Sequence, residues 1–188
     1  VKLYNPWPLD QKNSIAAIHK NKGYIIDALG GGEIYPIEGI NIKILQILDM
    51  VCGIDYIWVR DKKVKGIASR VQWGHNYDTF TIRYERKSGT ETEYKKRLEA
   101  IKEKESFRPY LTMQMYCDNE KENELESLAI IKTEDLFEII FTYPKLVHET
   151  KSNNFFKYIL WDDIKNIENE TNKEILIMRR IGLFIMHE

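Results

Sequence analysis

Alternation of apolar and polar side chains through the middle of the chain predicts three successive strands. The apolar sets are Ile54, Tyr56 and Trp58 in the run Ile54 to Arg60, then Ile67, Val71 and Trp73 in Lys65 to Trp73, then Phe80, Ile82 and Tyr84 in Thr79 to Arg86. Successive side chains of a strand point to opposite faces, so these sets define an inward face and the residues between them a polar one. The polar face carries Asp55, then Arg70 and Gln72, then Thr79, Thr81, Arg83 and Glu85. The segments Asp61-Lys62-Lys63 and Gly74-His75-Asn76 are short and accept turn geometry, which predicts an antiparallel meander.

Helical periods flank this region. Asp10 to His19 predicts a short helix after an irregular arm, and Ile40, Ile44, Leu45, Ile47 and Leu48 share one helical face before Gly53. After Ser88-Gly89, Thr90 and Glu93 have the spacing of a capping box, and the helix continues through Tyr94, Leu98 and Ile101. Pro109 to Cys117 predicts another strand, and Leu128 to Lys132 a further one. Thr133 then caps a helix whose Glu134 and Asp135 complement its positive end. The last third reads as strand, helix and strand over Phe155–Trp161, Asp162–Lys173 and Ile175–Met186. The expected fold is a single α/β domain of the α+β kind with a mixed sheet, its core at about 33–141 and a C-terminal extension at 142–188.

The 188 residues suffice for a substantial core, and 43% apolar with 30% charged residues excludes a disordered chain. Apolar runs fall far short of the roughly 20 residues that span a bilayer, so a cytoplasmic location is expected. Cys52 and Cys117 lack a CxxC partner and the four histidines are scattered, which argues against a disulfide framework or a zinc site. Gly30-Gly31-Gly32 lacks both common phosphate-loop spacings and reads as a loop, and Ser69, His75 and Asp78 match no nucleophile elbow.

A net charge of −1 provides no global basic field, so contact with nucleic acid would be local. Lys62, Lys63 and Lys65 cluster with Arg60 at one turn, and Arg83 heads a second cluster with Arg86, Lys87, Lys95, Lys96 and Arg97. Trp58, Trp73, Tyr77, Tyr84, Tyr94 and Tyr116 lie near these cations. Such rings can stack on unpaired bases, although their alternation with aliphatic residues assigns most of them to the core.

The order helix, three strands, helix, strand over Ile40 to Cys117 resembles the αβββαβ core of the PD-(D/E)xK, or restriction-endonuclease-like, nucleases. The resemblance implies Mg²⁺-dependent cleavage of phosphodiester bonds in DNA or RNA, with an acid in one strand and an acid-x-Lys in the next converging on the metal. Asp55 takes the place of the first acid. The following strand, Gly66 to Gln72, has no carboxylate, and Arg70 with Gln72 is its same-face polar pair. On this resemblance Asp55, Arg70 and Gln72 are the catalytic candidates, and Asp55 with Glu38 or Glu85 the metal ligands. Lys62, Lys63, Lys65 and Arg83 are the nucleic-acid contacts. Three alternatives stand beside it. One is a structural ion pair between Asp55 and Arg70 worth roughly 0.2–1 kcal/mol. The others are a non-catalytic nucleic-acid-binding module and a protein-interaction domain, for instance a homodimer formed through Ile181–Met186.

Overall fold

The hairpin encoded in Tyr56 to Trp73 lies inside the larger of two sheets. The computed structural model describes residues 7–37, 40, 42–85, 92–103, 107–151, 155–181 and 184–187. In chain order the elements begin with helices α1 (Trp7–Lys20) and α2 (Lys22–Ala28), strand β1 (Glu33–Pro36) and helix α3 (Lys43–Met50). Strands β2 (Tyr56–Arg60), β3 (Lys63–Trp73) and β4 (Thr79–Glu85) follow, then helix α4 (Glu93–Lys102) and strands β5 (Pro109–Cys117) and β6 (Leu125–Lys132). The remainder is α5 (Thr133–Thr142), a 3₁₀ turn (Pro144–Leu146), β7 (His148–Lys151), β8 (Phe155–Leu160), α6 (Trp161–Thr171), β9 (Ile175–Ile181) and β10 (Phe184–His187).

The main sheet has the order β1-β2-β3-β5-β6-β9-β10, and a smaller sheet has the order β4-β8-β7. The β2–β3 connection is a two-residue turn, with Asp61 at φ 49° and Lys62 at φ 61°, the left-handed pair that matches the twist of a hairpin. Among the described residues all pairings are antiparallel except β3 with β5, which runs parallel from Ile67↔Leu111 to Trp73↔Cys117. This mixed sheet with helices agrees with the expected α+β class.

The predicted meander is not what forms. After Gly74 and Asp78, both at positive φ, the chain leaves the main sheet, and β4 pairs with β8 instead. The vacated edge of β3 is taken by β5, whose residues from Leu111 to Cys117 are all buried. A strand buried on both faces requires a partner on each side, and β3 and β6 provide them. Half-buried β4 instead turns Phe80 and Ile82 down onto the main sheet.

Two cores result. On one face of the main sheet Tyr56, Ile67, Val71, Leu111, Met113 and Met115 pack with Ala17, Ile18, Ile25 and Leu29 of α1, α2 and the turn after them. On the other face Tyr116, Ala129, Ile131, Ile175 and Ile177 pack with Phe80, Ile82, Leu136, Phe137, Ile159 and Trp161. The face of β3 that bears Arg70 and Gln72 therefore lies beneath a second layer. No helix among the described residues is long and apolar enough to cross a membrane.

Candidate functional site

Asp55 is set by backbone before its side chain does anything. Its N–H donates to Ile67 at 2.9 Å and its carbonyl accepts from Ile37 at 2.9 Å, so it extends the ladder just ahead of β2. Gly66 permits this seat, because a Cβ there would come within 2.9 Å of Ile54 Cδ1. Tyr56 faces the first core, so alternation turns Asp55 to the opposite face. There its Oδ2 accepts the Ser69 backbone N–H at 2.5 Å, with Ser69 Oγ at 3.4 Å. Burial pushes the Asp55 carboxyl up to about 7, while the Ser69 bond and the charge of Arg97 pull the other way.

Arg70 projects from the same face of the sheet and uses Nη2 to reach both Glu93 oxygens, at 2.7 and 2.8 Å. Burial alone would raise the Glu93 pKa, yet the guanidiniums of Arg70, Arg97 and Arg83 hold it at about 2. Arg97 lies one helical turn beyond Glu93 on α4. It is only 5% exposed, and its Nε finds no hydrogen-bond partner among the described residues. Burial lowers the Arg97 pKa, opposed by the charges of Glu93 and Asp55. Arg83 arrives from β4, and its Cζ stands 5.2 Å from the Phe156 ring centroid, while the Arg70 Cζ stands 4.9 Å from the same ring. One phenyl group on β8 thus supports two guanidiniums. Among the described residues three arginines act on Glu93, which stays ionised when the pH falls below about 7 while Asp55 takes up a proton.

The remaining candidates fall in several places. Asp55 and Arg70 share the centre without pairing, so the cross-strand ion pair between them is replaced by two separate contacts, with Ser69 and Glu93. Gln72 is alongside, and its Oε1 accepts from Gln114 Nε2 at 2.8 Å. Arg83 belongs to the centre, while Lys62, Lys63 and Lys65 do not. Lys65 sits over Tyr110 at 3.7 Å and Trp58 at 5.5 Å, on the face of β3 opposite Arg70 by alternation. Lys63 and Lys65 join Trp58, Arg60 and Asp61 around a surface cleft of about 230 Å³. Glu85 is exposed at the end of β4, and Glu38 lies outside the described residues. Among the described residues no group of three or more His, Cys, Asp or Glu side chains gathers as a metal site.

Glu93 and Arg97 are the members that sequence reasoning missed as site residues. Glu93 reads as half of a capping box with Thr90, which lies outside the described residues. The helix is capped by Thr92, whose Oγ1 accepts from Lys95 N at 3.4 Å and donates to the Tyr84 carbonyl at 3.2 Å. The available signal was the i, i+4 spacing of Glu93 and Arg97, which puts both on one face of α4. Comparison of the chain with protein-family models, with curated proteins and with solved structures returned no match.

Proposed function

We propose that Asp55, Arg70, Arg83, Glu93 and Arg97 form the centre of a nuclease-like domain acting on phosphodiester bonds of DNA or RNA. The observation that carries this reading is the gathering of the buried Asp55 and Glu93 carboxyls with the guanidiniums of Arg70, Arg83 and Arg97 on one sheet face. Guanidiniums match the non-bridging oxygens of a phosphate, and a carboxyl poised near 7 suits proton transfer or a cation. The sheet supports the same reading. Strands β1, β2 and β3 run antiparallel, α4 follows, and β5 returns parallel beside β3. The αβββαβ order expected over Ile40 to Cys117 counts α3 and β4; with β4 in the smaller sheet, the order that supports the reading is instead α2, β1, β2, β3, α4 and β5, with α3 and β4 as additions.

Mg²⁺ fits this donor set in a sparse form. Such ions commonly use one or two carboxylates and complete their shell with water and substrate phosphate. Asp55 would hold it through Oδ1, since Ser69 engages only Oδ2. When bound, the ion would supply charge neutralisation at the phosphate and a more acidic water. Glu93, with both oxygens on Arg70, orients that guanidinium and is no ready second ligand. Arg70 and Arg83, braced against Phe156, would position the phosphate.

Cleavage of single- and double-stranded DNA and RNA, assayed with Mg²⁺ or Mn²⁺, tests the proposal. Asp55→Asn should reduce cleavage by at least about 100-fold with the fold intact. Unchanged cleavage removes Asp55 from the mechanism. The engagement of both Glu93 oxygens favours a second reading, a module that binds nucleic acid without cutting it. Its signature is salt-sensitive, metal-independent binding and no products.

A further inference from the structure

We infer that Arg97 is the anchor for a single phosphoryl group, which enters between α4 and the face of the main sheet that bears Arg70. The inference rests on the phosphodiester reading above and names the residue that takes the substrate's anionic group. Arg97 differs from its neighbours in what its nitrogens do. Arg70 spends Nη2 on Glu93, and the Arg70 and Arg83 guanidiniums lie against Phe156. Arg97 is buried to 95% of its surface, yet among the described residues its Nε–H has no acceptor. Buried polar groups nearly always find partners, and a buried guanidinium Nε–H is a donor suited to an oxyanion.

The surroundings select the kind of anion. Asp55 and Glu93 lie close enough to influence the Arg97 charge, and Arg70 and Arg83 contribute two further cations around Glu93. An anion can answer the Arg97 guanidinium, which a neutral ligand would not. A tetrahedral phosphate has enough oxygens to accept from the Arg97 Nε–H and from a second nitrogen of the same guanidinium. The rigid, planar fork of arginine is what such recognition uses, so lysine at this position would keep the charge and lose the geometry. The burial of Arg97 itself keeps water away and strengthens any charge-assisted bond formed there.

The test uses the whole chain with inorganic phosphate as the probe, titrated at constant ionic strength. Wild-type protein should bind it saturably, seen as a rise in Tm and as a shift of the Arg97 Nε–H resonance. Arg97→Lys should weaken binding by about tenfold or more at unchanged circular dichroism, while Lys63→Gln on the far face leaves it as it was. Phosphate affinity unchanged in Arg97→Lys sinks the inference, as does an Arg97 Nε–H signal unmoved by phosphate in the wild-type protein. The second measurement decides the matter should the variant fail to fold. Phosphate binding through Arg97 with no cleavage of any nucleic acid would uphold this inference and defeat the nuclease reading. Cleavage with ordinary phosphate affinity in Arg97→Lys would do the reverse.

Discussion

Arg70 and Glu93 meet through one nitrogen, Nη2, which lies 2.7 Å from one carboxylate oxygen and 2.8 Å from the other. The contact joins the parallel part of β3 to the first turn of α4, so it fixes the helix that carries Arg97. The side chains are 20% and 28% exposed, between the limits of a surface pair and a buried one. Glu93→Gln should therefore cost about 1–3 kcal/mol in urea denaturation, and a double-mutant cycle with Arg70→Met should show coupling above about 0.5 kcal/mol. Additive effects of the two substitutions would mean that the contact contributes nothing of its own.

Stability should respond to pH in two windows of opposite sign. Glu93 is held at about 2 in the folded chain against an ordinary 4.5, so its contribution is full above 4.5 and is lost as pH falls towards 2. Asp55 is raised from 3.8 to about 7, so the folded state binds its proton more tightly and stability declines as pH climbs from 3.8 through about 7. Asp55→Asn should accordingly be more stable than wild type above about pH 8 and equal to it near about pH 4. Urea midpoints at the two pH values check the sign. A gain of the same size at both would show that ionisation of Asp55 is not its source.

The two faces of β3 should separate in function. Replacing Lys62, Lys63 and Lys65 together by Gln should leave cleavage within about threefold, because the hairpin tip lies across the sheet from Asp55. Arg83→Gln should lower it by about tenfold or more, because Arg83 stands in the centre itself. Rates measured at saturating and at low substrate would show whether the loss is in kcat or in KM.

A different cluster should govern the junction of the two sheets. Arg179 donates through Nε to Asp78 at 2.9 Å and through Nη2 to Asp162 at 2.8 Å, tying β9 to the loop before β4 and to the start of α6. Ser127, fully buried, places its Oγ 3.0 Å from both Asn76 and Asp78. Arg179→Met should lower stability by about 1–3 kcal/mol and lower the Tm with no specific effect on phosphate binding. A Tm equal to wild type would mean that the junction is held by its apolar contacts alone.

Much of this was legible in the alternation of side chains. The split of Ile67 and Val71 from Arg70 and Gln72 gave the two faces of β3 correctly, and Asp55 stands on the polar one. The alternation could not show where that polar face would lie, because period two states which residues share a side and not what covers it. The departure of β4 was hidden for the same reason, since Phe80 and Ile82 suit either sheet. In α3 the apolar stripe marked a helix, yet Ile44 and Ile47 are exposed, so amphipathicity did not report burial there. Glu93 and Arg97 looked like an ordinary capped and charged helix. Their part in the centre shows only in the tertiary fold, where Arg70 of β3 reaches Glu93.

Phe156, the shared support of Arg70 and Arg83, has an effect on timing. Every charged group of the centre is synthesised by residue 97, but the ring beneath two of them appears almost 60 residues later, on a strand that pairs with β4. A growing chain thus exposes all the chemistry before it has the wall that organises it. The two guanidiniums gain their support only once β8 has been made and pairs with β4.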